Sequence, residues 1–115
     1  MKALSTCLFL FFVTVGFAAT ATTEIEALLS YLGRLEGATF IRNGGSHAAG
    51  DAVAHLRLKW EKQAKKIATA EDFVALCGSK SSTSGERYRI KFKDGTERFC
   101  DEVLTEQLAF VRRNK

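Results

Sequence analysis

Proline is absent from this 115-residue chain, so no proline-rich linker divides it. Cysteine and histidine are scarce, at three and two residues. They form neither C-x-x-C nor H-E-x-x-H, and the recurring spacings of metal centres are therefore missing. A G-x-S-x-G nucleophile elbow is also missing. There is no internal repeat and no low-complexity segment. The excess of base over acid is small, with seventeen Lys and Arg against thirteen Asp and Glu. A net charge of +4 is too weak to argue for nucleic acid as a partner. The one long apolar run, 8–17, spans about ten residues, whereas a bilayer helix needs roughly 20.

What that run does supply is an export signal. Met1-Lys2 gives a positive start, LFLFFVTVGF the apolar centre, and Ala18, Ala19 and Ala21 the small residues of a cleavage site. The expectation is a signal peptide over residues 1–21, cut after Ala18 or after Ala21, and a periplasmic or secreted protein. An uncleaved anchor is the alternative; after cleavage no stable membrane span remains. Residues 22–115 then form a single domain with one modest core. Of the cysteines, only Cys77 and Cys100 stay with that domain. In an exported chain they are expected to pair as one disulfide, worth roughly 3 kcal/mol in the chain-entropy model. Two free or metal-binding thiols are the alternative.

The patterning predicts a small α+β domain of three helices, a β-hairpin and a C-terminal helix. Thr23-x-x-Glu26 reads as a capping box. Ile25, Leu28, Leu29, Leu32 and Leu35 follow as one stripe, closed by Gly37. After a loop over 38–45, a second helix is expected from Ser46 or His47 to about Ile67. Its core face is Ala49, Val53, Leu56, Trp60, Ala64 and Ile67. Arg57, Lys59, Lys62, Lys65 and Lys66 make this helix basic; a solvated face is the default and a patch for an acidic partner the alternative. His55 and Leu58 fall outside the main stripe, so a second covered face is expected there. Thr69 caps a third helix, 70–77, turning Phe73, Val74 and Cys77 inward, with Gly78 at its end. Tyr88, Ile90 and Phe92 alternate with Arg87, Arg89 and Lys91 as in a half-buried strand. Asp94-Gly95 turns it into a short return strand. Asp101 is expected to cap the last helix, which carries Val103, Leu104, Leu108 and Val111.

Three segments also carry a resemblance. FIRNGGSHAAGDAVAHLRLK at 40–59, IATAEDF at 67–73 and SSTSGERY at 81–88 are similar, in order and spacing, to the YfeK-like family of small exported bacterial proteins. The resemblance implies an exported, periplasmic protein and no established activity. The family has no reliable cysteine pair at these positions, so the disulfide rests on the cysteine count alone. A shorter resemblance, SGERY at 84–88, is to the S-G-x-x-Y loop of periplasmic inhibitors of vertebrate-type lysozyme.

Candidate chemistry gathers in two places. In Arg42-Asn43-Gly44-Gly45-Ser46-His47, glycines before a helix start, with Arg42 as a fork, outline an anion pocket. The plainer alternative is a tight turn, with Asn43 and Gly44 in left-handed angles and Arg42 paired to Glu36 or Asp51. In the serine loop, Ser82 or Ser84 could act as a nucleophile only with His55 as its base. The plainer alternative is a polar connection, with His55 bonded to loop backbone. His47 and His55 are eight residues apart on one expected helix, about 12 Å along its axis, and do not make one metal site. The binding residues expected are thus Arg42, Asn43, Gly44, Gly45, His47, His55, Ser82, Ser84 and Tyr88. No metal and no cofactor is expected. The leading expectation is a small exported accessory or binding protein for an anionic small molecule, a glycan or an envelope protein. A small hydrolase and an enzyme inhibitor are the alternatives.

Overall fold

Leucine at helical spacing builds the first element. In the computed structural model, which describes residues 20–115, helix α1 (20–33) buries Ile25, Leu28, Leu29 and Leu32 almost completely. Fully burying side chains of this size stabilises by about 1.5–3 kcal/mol each. The helix is already running at residue 20, so Thr23 lies inside it and is not its N-cap. The expected leader falls outside the described residues, apart from Thr20 and Ala21 in α1.

The next segment departs from expectation. Residues 39–47 form a β-hairpin, not a loop leading into a helix. Strand β1 (Thr39–Arg42) pairs antiparallel with β2 (Gly45–His47), Arg42 lying opposite Gly45. Asn43 and Gly44 are the two turn residues, with φ of 52° and 75°. A two-residue hairpin turn follows the strand twist when both its residues have positive φ, which Asn-Gly adopts readily. Helix α2 (Ala49–Lys62) therefore starts later than expected, and it ends before a 3-10 turn at Ala64–Lys66.

Helix α3 (Ala70–Leu76) begins with the expected Thr69 cap, completed as a capping box by Asp72. Phe73 and Cys77 are fully buried, and Trp60 of α2 meets Phe73 edge-on at 5.9 Å. Gly78 follows, but without a left-handed backbone angle. Its lack of a side chain serves packing instead, because a Cβ there would stand 2.6 Å from Leu104 Cδ1.

Strands β3 (Arg89–Lys91) and β4 (Glu97–Phe99) form the second hairpin around Asp94-Gly95. β1 pairs antiparallel with β3, which joins the two hairpins into one sheet of order β2-β1-β3-β4. Helix α4 (Cys100–Arg113) starts directly from β4 with Phe99 as N-cap; Asp101 sits in its first turn and pairs with Arg87. Its Val103, Leu104 and Leu108 close the core, together with Phe40, Leu56, Tyr88 and Ile90. The result is an α+β domain of four helices and four strands among the described residues.

Cys77 and Cys100 are both buried in this core as free thiols, not joined in the expected disulfide. Each acts as a small apolar side chain at an interior helix end. Burial raises the Cys77 thiol and pushes Cys100 up to about 12. Cysteine count could not anticipate this, since pairing needs a specific approach of the two Cβ atoms.

Candidate functional site

A groove runs between α2 and the two turns that face it, the β1–β2 turn and the serine turn at 81–85. It encloses about 510 Å³. Arg42 comes to it from the end of β1, Asn43 from the hairpin turn, and His55, Leu58, Lys59 and Lys62 from α2. Ser81, Ser82, Thr83 and Tyr88 form the opposite wall. A smaller pocket of about 80 Å³ shares Arg42, His55 and Tyr88 with the groove and extends between β1 and α2, where His47 lines it.

At the back of the groove lies a chain of polar groups. Lys59 is only 8% exposed. Its ammonium donates to the Lys80 carbonyl at 2.9 Å and to the Tyr88 hydroxyl at 3.1 Å, and lies 5.0 Å from the Tyr88 ring centre. The Tyr88 hydroxyl is also 3.1 Å from His55 Nε2. Since an ammonium can only donate, the Tyr88 oxygen accepts from Lys59 and its one hydrogen is free for His55. Where that hydrogen is given to His55, Nε2 accepts and the imidazole is neutral. Burial, followed by the charges of Arg42, Lys59, His47 and Lys62, lowers the His55 pKa and favours that form.

The two turns are fastened to each other. Asn43 Nδ2 donates to Ser81 Oγ at 3.2 Å, and Ser84 Oγ donates back to Asn43 Oδ1. Ser81, 4% exposed, also accepts from the amides of Thr83 and Ser84, both at 3.3 Å. The serine loop is therefore a folded turn, tied off by Ser81 N to Glu86 O and Tyr88 N to Ser79 O.

Charge in the groove is one-sided. Arg42, Lys59 and Lys62 line it, and no Asp or Glu does. Arg57, Arg87, Arg89, Arg98 and Arg112 each hold a carboxylate. Arg42 is in none of the ion pairs of the described residues, so the expected pairing with Glu36 or Asp51 is not made. No group of three or more His, Cys, Asp or Glu side chains able to hold a metal occurs among the described residues.

Of the expected residues, Arg42, Asn43, His55, Ser82 and Tyr88 meet at the groove. His47 lines the smaller pocket, whereas Gly44, Gly45 and Ser84 line neither. Gly44 sits in the hairpin turn and Gly45 opens β2, ahead of α2, so their amides do not form a helix N-terminal anion cradle. His55 hydrogen-bonds to a tyrosine, not to loop backbone and not to a serine. Sequence reasoning missed Lys59, which it placed among solvated lysines. The available signal was its spacing, since Ala52, His55, Leu56 and Lys59 fall at i, i+3, i+4 and i+7 on one helical face.

A family profile matches residues 19–112. The chain belongs to the family of unknown function DUF5329. It is similar to the uncharacterized protein YfeK of Salmonella typhimurium strain LT2, at 42% identity over 65 residues. That match covers 56% of this chain and 54% of the relative, so the chain spans about half the length of that protein. No solved structure matches. The groove is therefore read from its own chemistry. Among the described residues, no helix is long and apolar enough to cross a membrane.

Proposed function

We propose that this DUF5329 protein is an exported binding protein whose groove takes an anionic group. The observation that carries the reading is the groove's unbalanced charge: Arg42, Lys59 and Lys62 without a facing carboxylate, and Arg42 without an ion-pair partner. Arg42 offers a planar fork suited to a carboxylate, sulfate or phosphate. Lys62 adds a flexible second charge, and the hydroxyls of Ser82 and Thr83 add donors on the far wall. Lys59 is committed to Lys80 and Tyr88 and acts through its field.

Export is supported by the N-terminal sequence and by the resemblance to exported proteins. Cleavage after Ala18 fits the fold better than cleavage after Ala21, because Ala21 is buried in α1. The intact mass of protein recovered from the cell envelope tests this. A mature chain beginning at Thr22 argues against cleavage after Ala18, and retention in the cytoplasm argues against export.

The binding reading is tested by NMR titration of residues 19–115 with sulfate, inorganic phosphate and glucuronate. At least one should shift the amides of Arg42, Asn43 and Ser82, and Arg42→Ala should abolish those shifts. If all three leave the groove amides unmoved, the reading is wrong.

A further inference from the structure

Beside the cationic groove lies the smaller pocket, and its wall is of a different kind. Phe40, Ala52, Leu56 and Cys100 supply apolar surface. Arg42, His55 and Tyr88 belong to both spaces, so a ligand held at Arg42 has an apolar recess directly beside it. Asp51 also lines the recess. The recess wall thus mixes that acid with Arg42 and Arg89, whereas the groove has bases only, so a negative charge is better placed on the groove side.

We infer that the ligand is a small amphiphilic carboxylate, its charged end on Arg42 in the groove and a short branched apolar tail in the recess between β1 and α2. This rests on the reading of the groove as an anion site and adds what the anion must carry. The recess sets the size. At about 80 Å³ it is roughly half of the ~150 Å³ apolar cavity that accepts benzene. That volume suits a tail of about three or four carbons and excludes a long acyl chain.

The test compares acetate, 3-methylbutanoate, decanoate and 3-methylbutanol as NMR titrants of the folded domain. Each buried methylene is worth about fourfold in affinity, so 3-methylbutanoate, with three more carbons, should bind up to roughly sixtyfold tighter than acetate. It should also shift Ala52 and Leu56 as well as Arg42. The neutral alcohol and the ten-carbon acid should both bind more weakly. Ala52→Leu, which fills the recess from α2, should remove the preference for 3-methylbutanoate over acetate. Should that variant not fold, the ligand series on the native protein decides alone. Equal affinity for acetate and 3-methylbutanoate overturns this inference and leaves the anion reading standing. Binding of the alcohol as tightly as the acid, without shifts at Arg42, overturns both.

Discussion

The Tyr88 hydroxyl accepts a hydrogen bond from the buried Lys59 ammonium at 3.1 Å. The same oxygen is also 3.1 Å from His55 Nε2. One oxygen thus links strand-side and helix-side groups across the back of the groove. Tyr88→Phe removes that oxygen and leaves Lys59 bonded to the Lys80 carbonyl alone. We predict a loss of about 1–3 kcal/mol in stability, the usual cost of stripping a partner from a buried charged group. Urea unfolding measures it; a variant as stable as the native protein refutes the role given to Tyr88.

His55 makes stability depend on pH. Its folded pKa is lowered from the ordinary 6.5, chiefly by burial. The unfolded chain therefore takes up the proton first as pH falls. The contribution is fully present above 6.5 and is lost as pH drops from there through the folded pKa. His55→Gln should flatten the stability profile in that window. Arg42→Ala should raise the His55 pKa, read from its imidazole NMR signals, by removing a facing charge. An imidazole titrating at or above 6.5 in the native protein contradicts both.

Far from the groove, Arg112 holds Glu24 through two bonds of 3.0 Å and also pairs with Glu71. Glu24 is only 4% exposed. Arg112→Met leaves Lys115 as the one cation beside it among the described residues. A loss of about 1–3 kcal/mol at neutral pH is expected. Arg112 also draws Glu71 down to about 2 from 4.5 and lowers Glu24. The contribution of these two carboxylates is accordingly complete above about pH 4.5 and declines toward pH 2. That acid decline should be smaller in Arg112→Met, as unfolding curves at several pH values can establish; an unchanged decline excludes Arg112 as its source.

The thiols offer a fourth check. Cys77 and Cys100 are both buried and free, with Cys100 pushed up to about 12. A thiol-specific reagent should find neither in the folded domain and two per chain after unfolding without reductant. Finding none after unfolding means that the pair is oxidised.

Much of the fold was legible because its signals are local. The Leu28–Leu32 stripe, the Thr69 cap and the alternation of Tyr88, Ile90 and Phe92 depend only on near neighbours. The tight turn at Asn43-Gly44, with both residues left-handed, was legible, but the two strands that it joins were missed. These strands have four and three residues, and β1 gains its other partner from β3, nearly fifty residues on. Ser46 and His47, polar residues ahead of an alanine-rich run, read as a helix start instead. Lys59 was hidden for the same reason, since its burial depends on Lys80 and Tyr88. The meeting of Arg42, His55, Ser82 and Tyr88 could be guessed, but the bonds of the tyrosine hydroxyl to Lys59 and His55 needed the fold.

Two glycines separate backbone from packing effects. Gly44→Ala places a side chain at φ 75° in open space and should cost about 1–2 kcal/mol from conformation alone. Gly78→Ala needs no unusual angle but drives a Cβ to 2.6 Å from Leu104. Its cost of about 1–3 kcal/mol should fall sharply when combined with Leu104→Ala, relative to the sum of the two single changes. Thermal melts of the four proteins distinguish these cases; strict additivity at Gly78 rules out the contact.

The exchange of hydrogen bonds between Asn43 and the serine turn has a consequence for how quickly the groove can be used. Its two rims are joined before anything enters, so a ligand does not have to gather loose segments around itself. Binding then gives up little chain freedom, and arrival should be limited by diffusion and charge attraction, not by closure. Asn43→Ala unties the rims. Its signature would be slower association with the groove's cations all still in place.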